Sequence, residues 1–133
     1  MSLEYFNEEQ SIRMEGWPHV ELEFVKQASD AEAQQWLDNM NALLEKKQSF
    51  VMLIHARPNS HFSPEARKAM GLWFKEQRES LGIYCAGVAR LVDSVEHGER
   101  VVSERMKAAM PFPMMATIDR DKANQWMSER LVA

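Results

Sequence analysis

The sequence predicts an α/β fold, with a single, mostly parallel β-sheet of four to five strands and four helices. Two observations predict it. Short apolar runs alternate along the chain with longer segments whose apolar residues recur at helical spacing, which is typical of βαβ units. The run Phe50–Ile54 is also unbroken, contains β-branched residues and is too short for a helix. Such a run is typical of a strand buried on both faces of a parallel sheet.

The composition indicates one ordinary globular domain spanning residues 1–133. The net charge is −4, and no run of Lys and Arg is longer than the pair Lys46-Lys47. A nucleic-acid-binding protein is expected to carry a basic patch or stripe, so this class is not expected here.

The chain is expected to be cytoplasmic. Its single cysteine, Cys85, allows neither an intramolecular disulfide nor a cysteine-based zinc site, which fits a reducing compartment. The N-terminal stretch MSLEYFNEEQ lacks a basic segment followed by an apolar core, so no signal peptide is expected. No apolar run reaches the length of a transmembrane segment.

The first half of the chain predicts a hairpin, a helix and a buried strand. Ser11–Glu15 and His19–Val25 alternate polar and apolar residues around a Gly16-Trp17-Pro18 turn, which predicts paired strands. Ser29 and Glu32 have capping-box spacing and open a helix over residues 30–46. The strand Ser49–His55 follows and is expected to lie in the centre of the sheet.

The second half predicts three helices and two strands. Ser63 and Pro64 open a helix over residues 63–81, which Gly82 is expected to end. The apolar run Ile83–Val92 predicts a strand in which a glycine marks close backbone approach. The remaining predictions are a loop at 93–98, a helix at 99–110, a strand at 114–118 and a helix at 120–131 capped by Asp119.

The loop after the central strand carries the densest set of chemically capable side chains. In open α/β sheets, ligands gather at the carboxyl ends of strands, and a helix N-terminus favours an anion. A phosphate or carboxylate site is one interpretation, and a solvated loop with Ser63 as a helix cap is the other. Asn59 lies in the same loop, and the candidate ligand-binding residues are His55, Arg57, Ser60, His61 and Ser63.

The residues suited to metal binding or catalysis lack a supporting pattern. His55 and His61 could be joined only by side chains of a distant loop, at no recognised metal spacing, so we expect no metal site. Cys85 lies in an apolar strand, where a buried thiol is inert. No catalytic residue and no cofactor are therefore predicted.

A self-association surface is predicted on the helix that begins at Ser63. Its apolar stripe can cover the sheet without Leu72 and Phe74, so these two residues are candidate interface residues of a homodimer. Packing of Phe74 in the core is the competing interpretation. Core packing is the favoured interpretation for the neighbouring Trp73.

Three stretches carry a resemblance to a known family. Trp36 and Leu37 form a pair in the first helix, GVARLV precedes the third helix, and MMATIDRDKANQWM leads from a strand into a helix containing Ala123 and Trp126. With the order and lengths of the elements, they resemble the STAS domain of sporulation anti-sigma-factor antagonists, especially its SpoIIAA-like relatives, over nearly the whole chain. The resemblance implies a SpoIIAA-like architecture and a non-enzymatic module that binds a protein partner or a small apolar ligand.

The resemblance also concerns a phosphorylation site. In the antagonists, a partner kinase phosphorylates a serine at the start of the second full helix, in an Asp-Ser-Ser-Gly-like context. Ser60 and Ser63 lie in the corresponding region of this chain, without that context.

The sequence therefore leaves three functional hypotheses. The first is a regulatory or binding module that holds a protein partner or a small apolar or anionic ligand. The others are a small enzyme using the His55–Ser63 loop and a switch phosphorylated at Ser60 or Ser63. No Gly-rich phosphate loop, nucleophile elbow or metal cluster supports the enzyme, so the sequence favours the binding module.

Overall fold

The structure is a computed structural model that describes residues 11–58 and 60–132. The N-terminal stretch and Asn59 therefore lie outside the described residues. Within the described ranges, the chain forms five strands and six helices, in the order β1 Ile12–Glu15, β2 His19–Phe24, α1 Asp30–Glu45, β3 Phe50–Ala56, α2 Pro64–Glu76, α3 Arg78–Tyr84, β4 Cys85–Leu91, α4 Val95–Val101, α5 Glu104–Ala109, β5 Met114–Thr117 and α6 Arg120–Val132.

The five strands form one sheet in the spatial order β1-β2-β3-β4-β5. β1 and β2 are antiparallel, and each later strand pairs in parallel with the strand before it. The predicted α/β class with a single, mostly parallel sheet is confirmed. The hairpin is confirmed as well, and Gly16 turns it at a φ of 90°, where a Cβ would collide with the carbonyl oxygen of His19.

The predicted central strand, β3, is the third of the five strands and is buried on both faces. Its residues Phe50, Val51, Met52 and Leu53 are at most 3% exposed. Phe50 and Met52 belong to one core cluster, and Val51 and Leu53 belong to another on the opposite side of the sheet. This two-sided burial explains why the apolar run is unbroken.

The two faces of the sheet have different cover. The first face carries Leu22, Met52 and Val88 and shares its core with residues of α1 and α3. The second face carries Leu53 and Ala89, and α6 packs on this face over strands β3, β4 and β5. On β1 and β2, the second face instead carries the charged side chains of Arg13, Glu15, Glu21 and Glu23.

Local hydrogen bonds fix the ends of α1 and α6 as predicted. The Ser29 hydroxyl accepts from Glu32 N at 3.1 Å, and the Glu32 carboxylate accepts from Ser29 N at 3.0 Å. At α6, Oδ1 of Asp119 accepts from Asp121 N at 2.9 Å. Hydrogen bonds to the Glu32 carboxylate, chiefly from the backbone of Ser29, lower its pKa.

The predicted close approach at a glycine is also confirmed, at Gly87 in β4. A Cβ built there would lie 2.8 Å from Cη2 of Trp126. The missing side chain therefore lets the indole of α6 lie directly on the strand.

The predicted count of four helices is wrong, because two predicted helices are each divided. The helix at 63–81 stops at Gln77, and a new helix, α3, runs through Gly82 to Tyr84, so Gly82 is not a cap. The helix at 99–110 is replaced by α4 and α5, each with its own N-cap: Ser94 accepts from His97 N and Ser103 accepts from Met106 N, both at 3.1 Å. The predicted loop at 93–98 is therefore partly helical.

In the part of the chain that the structure describes, no helix combines the length and apolar character needed to cross a membrane.

Candidate functional site

An apolar cavity of about 330 Å³ lies between α1, α2, α3 and the first face of the sheet. It forms because α2, which connects β3 to β4, packs mainly on α1 and α3 and stands off the sheet. Only Ala66 of α2 is buried. The strands that a crossover helix normally covers therefore provide the floor of the cavity.

Floor and walls of the cavity are apolar. Met52, Ile54 and Val88 line its floor, and Trp36 of α1 and Trp73 of α2 line its walls. The indole N–H of Trp73 donates to Oδ1 of Asn41 at 2.6 Å, a bond that ties α2 to α1. This volume lies at the lower end of the range for small-molecule pockets, roughly 300–1,000 Å³.

Arg90 is the one charged residue among the described residues that line the cavity. It lies on β4 between Ile54 of β3 and Ala116 of β5, so neither strand neighbour offers a side-chain acceptor. Its Nε is buried and has no hydrogen-bond acceptor among residues 11–58 and 60–132. Burial lowers the pKa of Arg90, but a guanidinium titrates so high that it stays protonated at neutral pH.

Cys85 also lines the cavity, and its thiol is held in the unreactive form. Burial raises its pKa to about 12, and Sγ lies 3.7 Å from the carbonyl oxygen of Gly87. Because the thiolate is the nucleophile, a protonated thiol has little reactivity. The structure thus agrees with the interpretation of Cys85 as core packing.

The predicted ligand residues His55 and Arg57 come together outside the cavity, on the second face of the sheet. The Glu23 carboxylate joins them, at 3.4 Å from His55 Nδ1 and 2.9 Å from Arg57 Nε. Arg13 Nη1 lies 3.5 Å from the same carboxylate. Both side chains therefore lie beside a carboxylate of the protein itself, from a glutamate that was not among the predicted site residues.

The other three predicted ligand residues form hydrogen bonds within the loop or to residues at the start of α1, and they do not line the cavity. Ser60 Oγ donates to the carbonyl oxygen of Arg57 at 2.6 Å, and the exposed His61 accepts from Ala28 N through its carbonyl oxygen at 3.1 Å. Ser63 Oγ accepts from Ala66 N at 3.0 Å, as predicted for a helix cap. It also donates to Oδ1 of Asp30 at 2.5 Å.

The two predicted interface residues have different surroundings. Leu72 is 53% exposed, as expected for a contact surface. Phe74 is half-buried, packs edge-to-face on Phe112 at 6.3 Å between ring centroids, and lines the cavity. Phe74 is therefore less exposed than Leu72 but not fully buried, and the self-association surface itself stays a prediction.

The sequence contained a signal for the cavity that our predictions missed. Arg90 interrupts an otherwise apolar strand, and its spacing of two from Val88 puts it on the same buried face. A lone arginine on a buried face needs an acceptor, and that need points to a binding site.

No group of three or more His, Cys, Asp or Glu side chains is arranged to hold a metal ion within the described ranges.

No family model matches the chain, and no curated protein or solved structure is significantly similar to it.

Proposed function

We propose that the protein is a binding module that holds a small apolar ligand in the cavity between α1, α2, α3 and the sheet. The observation that carries the proposal is the cavity itself, which is apolar except for Arg90. A mostly apolar cleft or cavity with a few well-placed polar groups is the usual form of a small-molecule site. The one thiol that lines the cavity is held protonated, which favours holding a ligand over reacting with it.

The proposal includes a SpoIIAA-like architecture. An antiparallel hairpin followed by parallel strands with intervening helices, and a last helix after β5, is consistent with that resemblance. The local bonds of Ser60 and Ser63 favour a structural role for the loop over the phosphorylation switch or an enzyme site.

The test uses N-phenyl-1-naphthylamine, a neutral apolar fluorophore, titrated into the purified protein. We expect saturable binding at one site per chain and quenching of tryptophan fluorescence, because Trp36 and Trp73 line the cavity. The larger side chain of Ile54→Phe should take up cavity space and weaken binding at least tenfold.

The matched control is Leu91→Phe. Leu91 is also half-buried, but it packs with α6 on the second face of the sheet, so this variant should bind the fluorophore normally. No saturable binding by the wild type, or equal binding by folded Ile54→Phe, would contradict the proposed function.

A further inference from the structure

Arg90 differs from three other arginines in forming no ion pair with any described residue. Arg13, Arg57 and Arg120 all reach carboxylates of β2 on the second face of the sheet, at 3.5, 2.9 and 2.8 Å. None of the ion pairs among the described residues includes Arg90, which faces the cavity on the first face. The protein therefore places one positive charge in an apolar site and supplies no described residue to neutralise it.

Such a placement is costly unless an acceptor is bound. A buried polar donor without a partner destabilises a fold, and the Nε of the half-buried Arg90 is such a donor among the described residues. The strands on both sides of Arg90 present Ile54 and Ala116, so an acceptor for its Nε does not come from these neighbours and can come from the cavity side. Charge complementarity thus calls for an anion at the end of the cavity where Arg90 lies.

We propose that Arg90 binds the carboxylate of a medium-chain fatty acid whose hydrocarbon chain fills the cavity. The proposal rests on the proposed function, because it names the class of ligand that the cavity holds. The planar guanidinium matches a carboxylate with two parallel N–H···O bonds. One carboxylate balances one guanidinium, whereas a phosphate ester carries a charge of about −1.5 to −2 at neutral pH and would leave part of it unpaired.

The lining and size of the cavity fit a flexible hydrocarbon chain. Met40, Met52, Met70 and Met114 line the cavity, and unbranched, polarizable methionine side chains adapt to a chain with many conformers. A cavity of about 330 Å³ favours a medium chain over the long chains of membrane lipids. Each further methylene that enters the cavity should tighten binding by about fourfold until the cavity is full.

The experiment compares decanoate with decanol, which has the same chain and no charge, by displacement of N-phenyl-1-naphthylamine at pH 8. We expect the wild type to bind decanoate at least tenfold more tightly than decanol. Arg90→Leu should lose this preference and still bind decanol, and Arg90→Lys should keep part of it. Arg105→Leu removes the same charge from an exposed position on α5 and should behave as the wild type.

Folding should not obscure the result, because replacing a side chain whose buried Nε has no described acceptor removes no hydrogen bond of that group from the fold. Circular dichroism and the melting temperature check this, and Arg90→Met, which keeps an unbranched side chain, serves as a second variant. The melting temperature of the wild type should rise with decanoate more than with decanol, and that of Arg90→Leu and of Arg90→Met should not show this difference.

Different failures have different meanings. If the wild type binds decanol as tightly as decanoate, or if Arg90→Leu keeps the preference, the carboxylate anchor is wrong and the proposed function stands. If decyl phosphate binds more tightly than decanoate, the anion is a phosphate and the fatty-acid proposal is overturned. If none of these ligands displaces the fluorophore, the fatty-acid proposal fails alone, whereas absence of fluorophore binding removes the proposed function as well.

Discussion

At the scale of single residues, two glycines show that the same substitution should have opposite effects. Gly71 lies inside α2, where an added Cβ would have no neighbouring atom within 4 Å, whereas a Cβ at Gly87 would lie 2.8 Å from the Trp126 ring. Gly71→Ala should raise the free energy of unfolding by roughly 0.5–1 kcal/mol, because alanine favours helix. Gly87→Ala should lower it by roughly 1–3 kcal/mol through overpacking.

Urea unfolding measures both changes, and a second substitution tests the cause of the loss at Gly87. The smaller side chain of Trp126→Leu should recover part of the stability lost in Gly87→Ala, since the ring is what the new methyl group meets. Equal effects of Gly71→Ala and Gly87→Ala would contradict the packing of α6 on β4.

The thiol of Cys85 makes stability depend on pH in the alkaline range. Its pKa is raised from 9.0 to about 12 by burial, so the folded chain holds a proton that the unfolded chain loses above about pH 9. Between pH 9 and pH 12 the unfolded state binds fewer protons, and stability falls as the pH rises. This contribution is fully present below pH 9, and at pH 10 its loss is about 1 kcal/mol.

The measurement is urea unfolding of the wild type and Cys85→Ala at pH 7 and pH 10. Cys85→Ala is expected to be less stable at pH 7 because it leaves a cavity. Its further loss of stability between the two pH values should nevertheless be smaller than that of the wild type by about 1 kcal/mol. The same pH dependence in both proteins would show that the thiol ionises normally in the fold.

The surroundings of single residues could be predicted from the sequence where one local pattern determined them. The glycine in an apolar run indicated close approach, and Gly87 shows it. The apolar neighbours of Cys85 likewise indicated an inert thiol. The pairing of His55 and Arg57 with Glu23 could not be predicted with the same ease, because it depends on the register between β2 and β3.

At the scale of secondary-structure elements, the hydroxyl of Ser63 links the starts of α1 and α2. It accepts from Ala66 N and donates to Asp30 Oδ1. Ser63→Ala should lower the free energy of unfolding by about 1 kcal/mol through loss of the cap. Asp30→Ala keeps that cap and should cost less, so the two variants separate capping from the link between the helices.

Thermal unfolding and fluorophore titration of Ser63→Ala and Asp30→Ala give the two readouts. Both variants should bind the apolar fluorophore as the wild type does, because neither residue lines the cavity. A Ser63→Ala protein with unchanged stability that no longer binds a ligand or partner would instead support the phosphorylation switch.

The two helices that proved to be divided show why element boundaries are hard to predict. Ser94 and Ser103 are both N-caps, yet a single apolar stripe over residues 99–110 suggested one helix. Ser63 was recognised because Pro64 stands beside it, at a position that favours the first turn. A serine cap without such a second signal is weaker evidence for a helix start than apolar periodicity is for one continuous helix.

At the scale of the whole molecule, topology was predictable and the cavity was not. The unbroken run of β3 required cover on both faces, and that requirement fixed its central position in the sheet. The cavity arises because α2 packs on α1 and α3 and not on the strands below it. This displacement depends on contacts among three helices, and apolar spacing within one helix does not reveal it.

The last prediction concerns self-association through α2. Leu72 is 53% exposed, whereas Phe74 lines the cavity and packs on Phe112. The two substitutions should therefore separate: Leu72→Glu dissociates a dimer and leaves the fold intact, but Phe74→Glu places a charge against the core and unfolds the protein. Sedimentation velocity of the wild type, expected to be a dimer, and of both variants distinguishes these outcomes.

Val95→Glu is the matched control for sedimentation, because Val95 is 60% exposed on α4, a different helix. This variant should remain a dimer, since a general increase in negative charge adds little repulsion between chains of net charge −4. A wild type that sediments as a monomer at micromolar concentration removes the surface on α2. Dissociation by Val95→Glu as well as Leu72→Glu would assign the effect to charge and not to contact, because only Leu72 lies on the proposed surface.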